Sequence, residues 1–163
     1  MATQRVQALL LAFDTASKAF AETVRQCPDS AWANVCAPEG WTVAALAHHV
    51  AKGHARGAEW IATMTAGQPV SLTEEELNAE NAEDAQRFAS CTGAEVLTLN
   101  DRNGALVRAL LRALSPDDLD RQAAFGPAGG AIFPVERIAG AISRHCNGHL
   151  ESLRTAIGGA SAR

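Results

Sequence analysis

The 163-residue sequence contains no tyrosine, and only 5% of its residues are aromatic. β-Sheets favour aromatic and β-branched side chains, so this shortage argues against a sheet protein. The hydrophobic share, 47% of the chain, is instead rich in Ala and Leu, which suit packed helices. The length predicts one domain that is large enough to bury a substantial core.

The sequence also lacks any block of basic residues, and its formal net charge is −4. Proteins that neutralise nucleic-acid phosphates need clustered Lys and Arg, so we expect no nucleic-acid partner. No apolar run is long enough to span a bilayer, so we expect no membrane partner either. The expected partner is a small-molecule substrate, and a homodimer is left open because bundles of this kind can dimerise.

The four cysteines, Cys27, Cys36, Cys91 and Cys146, form no CxxC pair. Their spacing is too wide for a zinc site built from cysteines. The N-terminal stretch MATQRVQALLLAF is soon followed by charged residues, so it indicates an amphipathic helix and not a signal peptide. We therefore expect free thiols and a reducing, cytoplasmic location.

Apolar residues recur at helical spacing in five segments separated by Gly- or Pro-containing stretches or by capping residues. One segment is shorter and polar, which fits a crossover connection between two main helices. We predict an all-α fold, an up-down four-helix bundle with this additional short helix in the crossover. The predicted helices cover residues 2–26, 42–66, 73–90, 92–114 and 134–157.

Capping signals support three of these helix starts. Thr73 with Glu76, and Thr92 with Glu95, fit the capping box, in which the side chains of both residues bond the first backbone N–H groups. Thr42 fits an N-cap without the box. In the helix 92–114 the apolar spacing predicts a core-facing stripe of Val96, Leu99, Leu106, Leu110 and Leu114.

The remaining segments carry weaker signals. Residues 28–40 are predicted to be a loop with at most one short helical turn, and SPDDL predicts one further turn. The glycine-rich stretch FGPAGGAIFP is too irregular for a helix, and no β-hairpin is predicted. We therefore expect one domain over residues 1–157 and a flexible tail over residues 158–163.

Two of the five histidines, His145 and His149, lie four residues apart in the predicted last helix. Positions i and i+4 differ by about 40° around a helix axis, so the two imidazoles project side by side and can chelate one ion. Ile138, Ile142 and Leu153 lie near the same face. The pair is therefore expected to point into the bundle.

The natural third ligand would come from a facing helix, and the stretch GWTVAALAHHVAKGH holds the other three histidines. His48 is rotated from His49 by roughly 100° and His54 by about 140°, so at most one of the three shares the ligand face. We select His49, because the small residues Ala45 and Gly53 leave room around it.

Each of these side chains also has a plain structural interpretation. A lone buried His is more often a satisfied core residue than a ligand, and an HxxxH pair can consist of two surface residues. Arg56 could hold a substrate carboxylate, but an arginine that extends into solvent at the bundle edge fits better. Trp60 and Cys146 fit core packing better than a substrate platform or a nucleophile.

The stretch GWTVAALAHHV resembles the signature of DinB-like proteins, in which a Trp and a Ser or Thr precede an apolar pattern that leads to a His. Trp41, Thr42, His49 and Val50 match this signature, whereas Ala45 stands where relatives often have Glu. The stretch RHCNGHLESL is similar to the HxxxH motif in that family's last helix. LNAENA is similar to relatives of the mycothiol-dependent maleylpyruvate isomerase.

The resemblance spans nearly the whole chain and implies a four-helix bundle in which three histidines hold a divalent metal ion. Carried over, the metal ligands are His49, His145 and His149. Three His ligands leave a coordination position open, as in catalytic and unlike structural zinc sites. Zinc is expected first, with nickel, iron or manganese as alternatives, because three His discriminate weakly among these metals.

An open position can bind a water molecule, whose pKa then falls to about 7, or a thiolate. The resemblance implies the second use in some members, with a low-molecular-weight thiol as co-substrate. We therefore expect a metal-dependent enzyme, either a thiol-dependent transferase or isomerase or a hydrolase. The alternatives are a non-catalytic bundle that binds a metal or small ligand as a sensor or stress protein, and a purely structural bundle.

Overall fold

Four helices of 21 to 24 residues form the body of the structure, a computed structural model that describes residues 3–158. The predicted all-α four-helix bundle is confirmed, and the predicted helix boundaries agree with the observed ones to within a few residues. In chain order the helices are α1 (Gln4–Gln26), α2 (Val43–Thr65), α3 (Glu74–Arg87), α4 (Gly93–Ala113), α5 (Pro116–Asp120) and α6 (Val135–Gly158).

The helix starts follow from the caps that the sequence provides. Thr42 Oγ1 accepts a hydrogen bond from the backbone N–H of Ala45 at 3.1 Å, which begins α2. Both predicted capping boxes form, at the starts of α3 and α4. Ser115 and Asp118 form a third box at the start of α5. These caps fix the ends of the helices and therefore the segments that pack.

The four long helices form a bundle in which α1 and α2 each pack against both α4 and α6. The first two long helices therefore occupy opposite corners of the bundle, although they follow one another in the chain. The short helix α3 lies in the connection from α2 to α4 and packs against α2, and none of its residues is buried. This arrangement sets α2 directly against α6.

Two small antiparallel hairpins interrupt the helical pattern, so the expectation of no hairpin was wrong. Strand β1 (Val35–Cys36) pairs with β2 (Trp41–Thr42), and β3 (Gln122–Phe125) pairs with β4 (Ala131–Pro134). Strands of two to four residues are too short to show a clear alternation of polar and apolar residues. The neighbouring helices hold their ends in place, and Gly40 supplies the positive φ of +72° that the first turn requires.

The buried face of α4 also differs from the predicted stripe. Leu106 is 53% exposed, whereas Val107 and Leu111 are buried. The buried face also carries two polar residues, Asn100 and Asn103. Asn103 donates to a backbone carbonyl of α2 at 2.9 Å, and Asn100 Oδ1 lies 3.1 Å from a buried histidine of α2. The two ends of the predicted stripe are buried as expected, but its middle was misplaced, because these polar side chains are satisfied inside the bundle.

The ends of the chain fall partly outside the structure. Of the predicted tail 158–163, Gly158 is the last residue of α6, and residues 159–163 lie outside the described residues. The assignment of residues 1–157 to one domain stays a prediction. Within the described part of the chain, no helix combines the length and the apolar character needed to cross a membrane.

Candidate metal centre

The structure brings together the three histidines named from the sequence. One ring nitrogen from each of His49, His145 and His149 can be chosen so that all three atoms lie within 4.8 Å of one another. The Nε2 atoms of His145 and His49 are 2.9 Å apart. The ring centroids of His145 and His149 are separated by 4.8 Å, and those of His49 and His149 by 5.2 Å. The three imidazoles therefore surround a common point between α2 and α6.

Two glycines on α2 allow α6 to approach this closely. A Cβ atom at Gly53 would lie 2.8 Å from Cε1 of His145, and one at Gly57 would lie 2.6 Å from Cγ1 of Ile142. Both distances are shorter than carbon atoms normally approach. Each glycine lies one helical turn or two beyond His49, so the same face of α2 carries a ligand and the space for its neighbours.

Burial controls the charge of two of the three rings. Together with the positive charge that neighbouring histidines can carry, it lowers the pKa of His49 to about 4 and that of His145 to about 3. At neutral pH these rings are uncharged, with a lone pair on one nitrogen. A metal ligand requires that form, because a protonated imidazole has no lone pair to donate.

Sequence reasoning missed one residue of the site, Glu39. Its Oε1 atom lies 2.9 Å from Nδ1 of His149, and its side chain is only 14% exposed. Glu39 lies in the turn between β1 and β2, immediately before Gly40. Only recognition of that hairpin could have placed this carboxylate near α6, and the two-residue strands gave no such signal.

The donor set fits a divalent metal ion. A tetrahedral zinc ion with Zn–N bonds of about 2.0–2.1 Å holds its nitrogen ligands about 3.3 Å apart. The observed 2.9 Å between two Nε2 atoms falls a few tenths of an ångström below this separation, and the three ring nitrogens all lie within 4.8 Å of one another. In addition, Oε2 of Glu39 is buried without a hydrogen-bond partner among the described residues. A buried carboxylate oxygen without a partner is unfavourable unless positive charge lies nearby, and a bound cation would supply it.

A cleft with a volume of ≈ 490 Å³ opens beside the three imidazoles. Trp60 packs edge-on against Phe125 in its wall, with ring centroids 4.9 Å apart. Trp41 contacts His49 edge-on at 5.2 Å. Among the described residues no Asp or Glu side chain lines the cleft. Besides the histidines and these aromatic rings, the lining includes Lys52, Arg56, Leu77, Asn81, Ile138 and Ile142.

The two cations of the cleft are already paired with acidic residues of α3. Arg56 donates to Oε2 of Glu80 at 2.6 Å, and Lys52 forms an ion pair with Asp84. Arg56 is therefore neither the solvent-extended arginine expected from the sequence nor an unpaired anion receptor, since its side chain is 20% exposed. The two pairs join α3 to α2 at the edge of the cleft.

The other sequence candidates lie outside the cluster. His48 stacks on Phe88 with a centroid distance of 3.6 Å, and burial lowers its pKa. His54 is fully buried on the opposite side of α2, where its Nε2 lies 3.1 Å from Oδ1 of Asn100. Cys146 is fully buried, and burial raises its pKa to about 12, as fits a packed thiol.

Trp60 combines the two roles that the sequence set against each other. It belongs to the residues packed against the core, and it also lines the cleft beside the histidines. The sequence pattern could not separate these roles, because a partly buried ring has one face against the core and another toward the cleft.

Comparisons with known proteins bear on the family and the fold. A family model described as the DinB superfamily matches residues 12–153. Among solved structures, the fold is similar to that of YfiT from Bacillus subtilis, described as a probable metal-dependent hydrolase with an unusual four-helix bundle topology. That match has a TM-score of 0.78 and 18% identity, and it covers 96% of this chain and 87% of YfiT.

The fold is also similar to that of the mycothiol-dependent maleylpyruvate isomerase, with a TM-score of 0.74 and 16% identity. This match covers 91% of the present chain but only 60% of the isomerase. At these identities the two structures establish the shared fold. No curated protein matches the sequence.

Proposed function

Because the chain belongs to the DinB superfamily, we propose that it is a metal-dependent enzyme that acts on a small molecule. His49, His145 and His149 are the proposed ligands of one divalent ion. The observation that carries the proposal is the approach of three partly buried ring nitrogens, within 4.8 Å of one another, beside an apolar cleft. Structural neighbours described as a probable metal-dependent hydrolase and a mycothiol-dependent isomerase support an enzyme of this general kind.

Zinc is the proposed metal, with nickel, iron and manganese as alternatives. When bound, the ion would supply a Lewis acid that lowers the pKa of a coordinated thiol or water. The neutral imidazoles leave the charge of the ion uncompensated. The chain's own contribution is to keep His49 and His145 unprotonated through burial and to hold the cluster beside the apolar cleft.

The cleft supports a substrate with an apolar body. Trp60, Phe125 and Ile142 offer aromatic and aliphatic surface, and burial of such surface contributes about 25 cal/mol per Å². Lys52 and Arg56 are neutralised by their partners on α3, so they add little net charge. The small molecule is therefore proposed to bind mainly through apolar contact, with its reacting group toward the histidines.

A low-molecular-weight thiol is the proposed co-substrate, in a transfer or isomerisation reaction. No carboxylate among the described residues lines the cleft to accept a proton from the nucleophile. A thiol depends less on such a base than water does, because a bound metal ion would deprotonate a coordinated thiol outright but lower the pKa of a coordinated water only to about 7. Hydrolysis is the second candidate, favoured by the high coverage of YfiT, 87% of that chain.

The test begins with protein purified without a histidine tag. We expect it to carry a stoichiometric divalent metal, measured by mass spectrometry of the metal content. The metal-loaded protein should then accelerate conjugation of a small thiol to an apolar electrophile, measured by loss of free thiol, and ester hydrolysis is measured in parallel. Metal without either activity would support the non-catalytic alternative.

A pair of neighbouring variants provides the control. His49→Ala removes a proposed ligand, so metal content and activity should both be lost. His48→Ala removes an imidazole one position earlier that stacks on Phe88 and lies outside the cluster, so both should be retained. A His49→Ala protein that kept metal and activity would refute the proposed ligand set.

A further inference from the structure

We propose that Glu39 is a positioning residue for the metal centre, which it serves by holding His149 in one tautomer and one ring orientation. This inference rests on the proposed function, since it assigns a role within the same site. It concerns a residue from the β1–β2 hairpin, an element that contributes no ligand.

The hydrogen bond defines the tautomer. Nδ1 of His149 lies 2.9 Å from Oε1 of Glu39. An ionised carboxylate can only accept, so the proton resides on Nδ1 and the lone pair on Nε2. His49 and His145 also turn their Nε2 atoms toward each other. The carboxylate thus selects the nitrogen of His149 that matches the other two rings.

The three rings are held in different ways. Trp41 packs edge-on against His49 at a centroid distance of 5.2 Å. His145 lies over Gly53, where no side chain intervenes. His149 has its other ring nitrogen engaged by a carboxylate, which is the usual arrangement of a ligating histidine and its outer partner in metal sites. Without Glu39, rotation about the side-chain bonds of His149 would be less restricted.

The hairpin holds Glu39 firmly enough for this role. Cys36, in β1, is fully buried, and its carbonyl accepts from the N–H of Gly40 at 2.8 Å, which closes the turn around Glu39. Asn34 donates to the backbone carbonyl of Ala156 at 2.9 Å, which ties the start of the hairpin to α6. The carboxylate and the helix that carries His149 are therefore joined by independent contacts.

The second carboxylate oxygen points to the same role. Oε2 of Glu39 is buried and has no hydrogen-bond partner among the described residues. A buried carboxylate oxygen without a partner is unfavourable unless positive charge lies nearby. A cation on the far side of the His149 ring would compensate it, and the carboxylate would in turn make the ring a stronger electron-pair donor.

The experiment measures metal affinity directly, so it does not depend on finding the substrate. Metal-free wild type, Glu39→Ala and Glu39→Gln are titrated with Zn²⁺ against a chelator and with Co²⁺ by its visible absorption. The matched control is Glu151→Gln, which removes an exposed carboxylate on α6, two residues from His149. Loss of an outer partner of this kind lowers affinity roughly 10- to 100-fold.

We expect Glu39→Ala to lose affinity by that factor and to show an altered Co²⁺ spectrum, which a purely structural role would leave unchanged. Glu39→Gln should keep part of the metal affinity, because its amide oxygen can still accept a hydrogen bond from Nδ1 of His149. Glu151→Gln should bind as wild type does. Circular dichroism and the thermal midpoint of each metal-free protein establish whether it is folded.

The possible failures are distinct. If wild type binds no metal, the proposed function is wrong and this inference is wrong with it. If wild type binds metal while folded Glu39→Gln and Glu39→Ala bind equally well, the proposed function stands and only the role of Glu39 is overturned. An equal loss of metal affinity in Glu151→Gln would also overturn it, since the loss would then follow from removing any nearby negative charge.

Discussion

The close approach of α2 and α6 at Gly53 allows the site to be perturbed without removing a ligand. In Gly53→Ala the new Cβ would lie 2.8 Å from Cε1 of His145, where carbon atoms need about 3.5 Å. The ring must therefore withdraw by about 0.7 Å. Metal–ligand distances tolerate only about 0.2 Å, so the displaced ring would no longer reach a shared ion without strain.

The expected magnitude follows from two opposed effects. Replacing a mid-helix Gly with Ala favours the helix by about 1 kcal/mol, whereas overpacking costs about 1–3 kcal/mol. The metal-free protein should thus change little in its free energy of unfolding. If the overpacking cost of about 1–3 kcal/mol destabilises only the metal-bound state, metal affinity falls roughly 5- to 140-fold, at about 1.4 kcal/mol for each tenfold change.

The assay is chelator competition for Zn²⁺ together with urea denaturation of the metal-free protein. Gly57→Ala is the first control, because its Cβ would clash with Ile142 at 2.6 Å and not with a histidine, so stability should fall more than affinity. Gly148→Ala is the second, since no atom lies within 4 Å of its Cβ and the protein should only gain helix stability. Wild-type affinity in folded Gly53→Ala would refute the reasoning.

Three further predictions concern the rest of the bundle. Burial lowers the pKa of His54 from 6.5 to about 4, so between these pH values the unfolded chain binds a proton that the folded chain does not, and stability falls as the pH is lowered. The free energy of unfolding, measured in urea at pH 7 and pH 5, should therefore drop less in His54→Gln than in the wild type. An equal drop in the two proteins would contradict this. Cys36 and Cys146, both fully buried with raised pKa values, should resist alkylation until the protein unfolds, and rapid labelling of the folded protein would show the packing to be wrong. The substitutions Glu80→Gln and Asp84→Asn should change overall stability by less than about 1 kcal/mol, because the ion pairs are partly exposed. They should nevertheless speed backbone hydrogen exchange in α3. Unchanged exchange would show that these pairs do not hold the helix against α2.

Local chemistry explains why most of the helices could be predicted. Thr73 and Glu76 form a capping box within four consecutive residues, so the sequence alone contains all the atoms involved. The same is true of His145 and His149, whose relative position is set by one turn of one helix. The meeting of His49 with that pair depends on packing between distant segments; the small residues on its helix face suggested it, and the family resemblance then supported it.

The features that were missed depend on contacts between distant residues. Leu106 belongs to an apolar spacing but is exposed, because Asn100 and Asn103 find partners across the bundle and take the inner face. Glu39 becomes part of the site only when a two-residue hairpin folds against α6. No neighbour in the sequence marks either outcome, since each depends on which groups become buried together.

The distance along the chain between the clustered histidines has a consequence for biosynthesis. His49 and His145 are 96 positions apart, so any fragment that ends before residue 145 contains at most one of the three imidazoles. A growing chain therefore cannot capture the metal through this cluster until its last helix has docked. Bound metal would then act as a cross-link that only the finished bundle can close, and metal content would report the fraction of completely folded molecules.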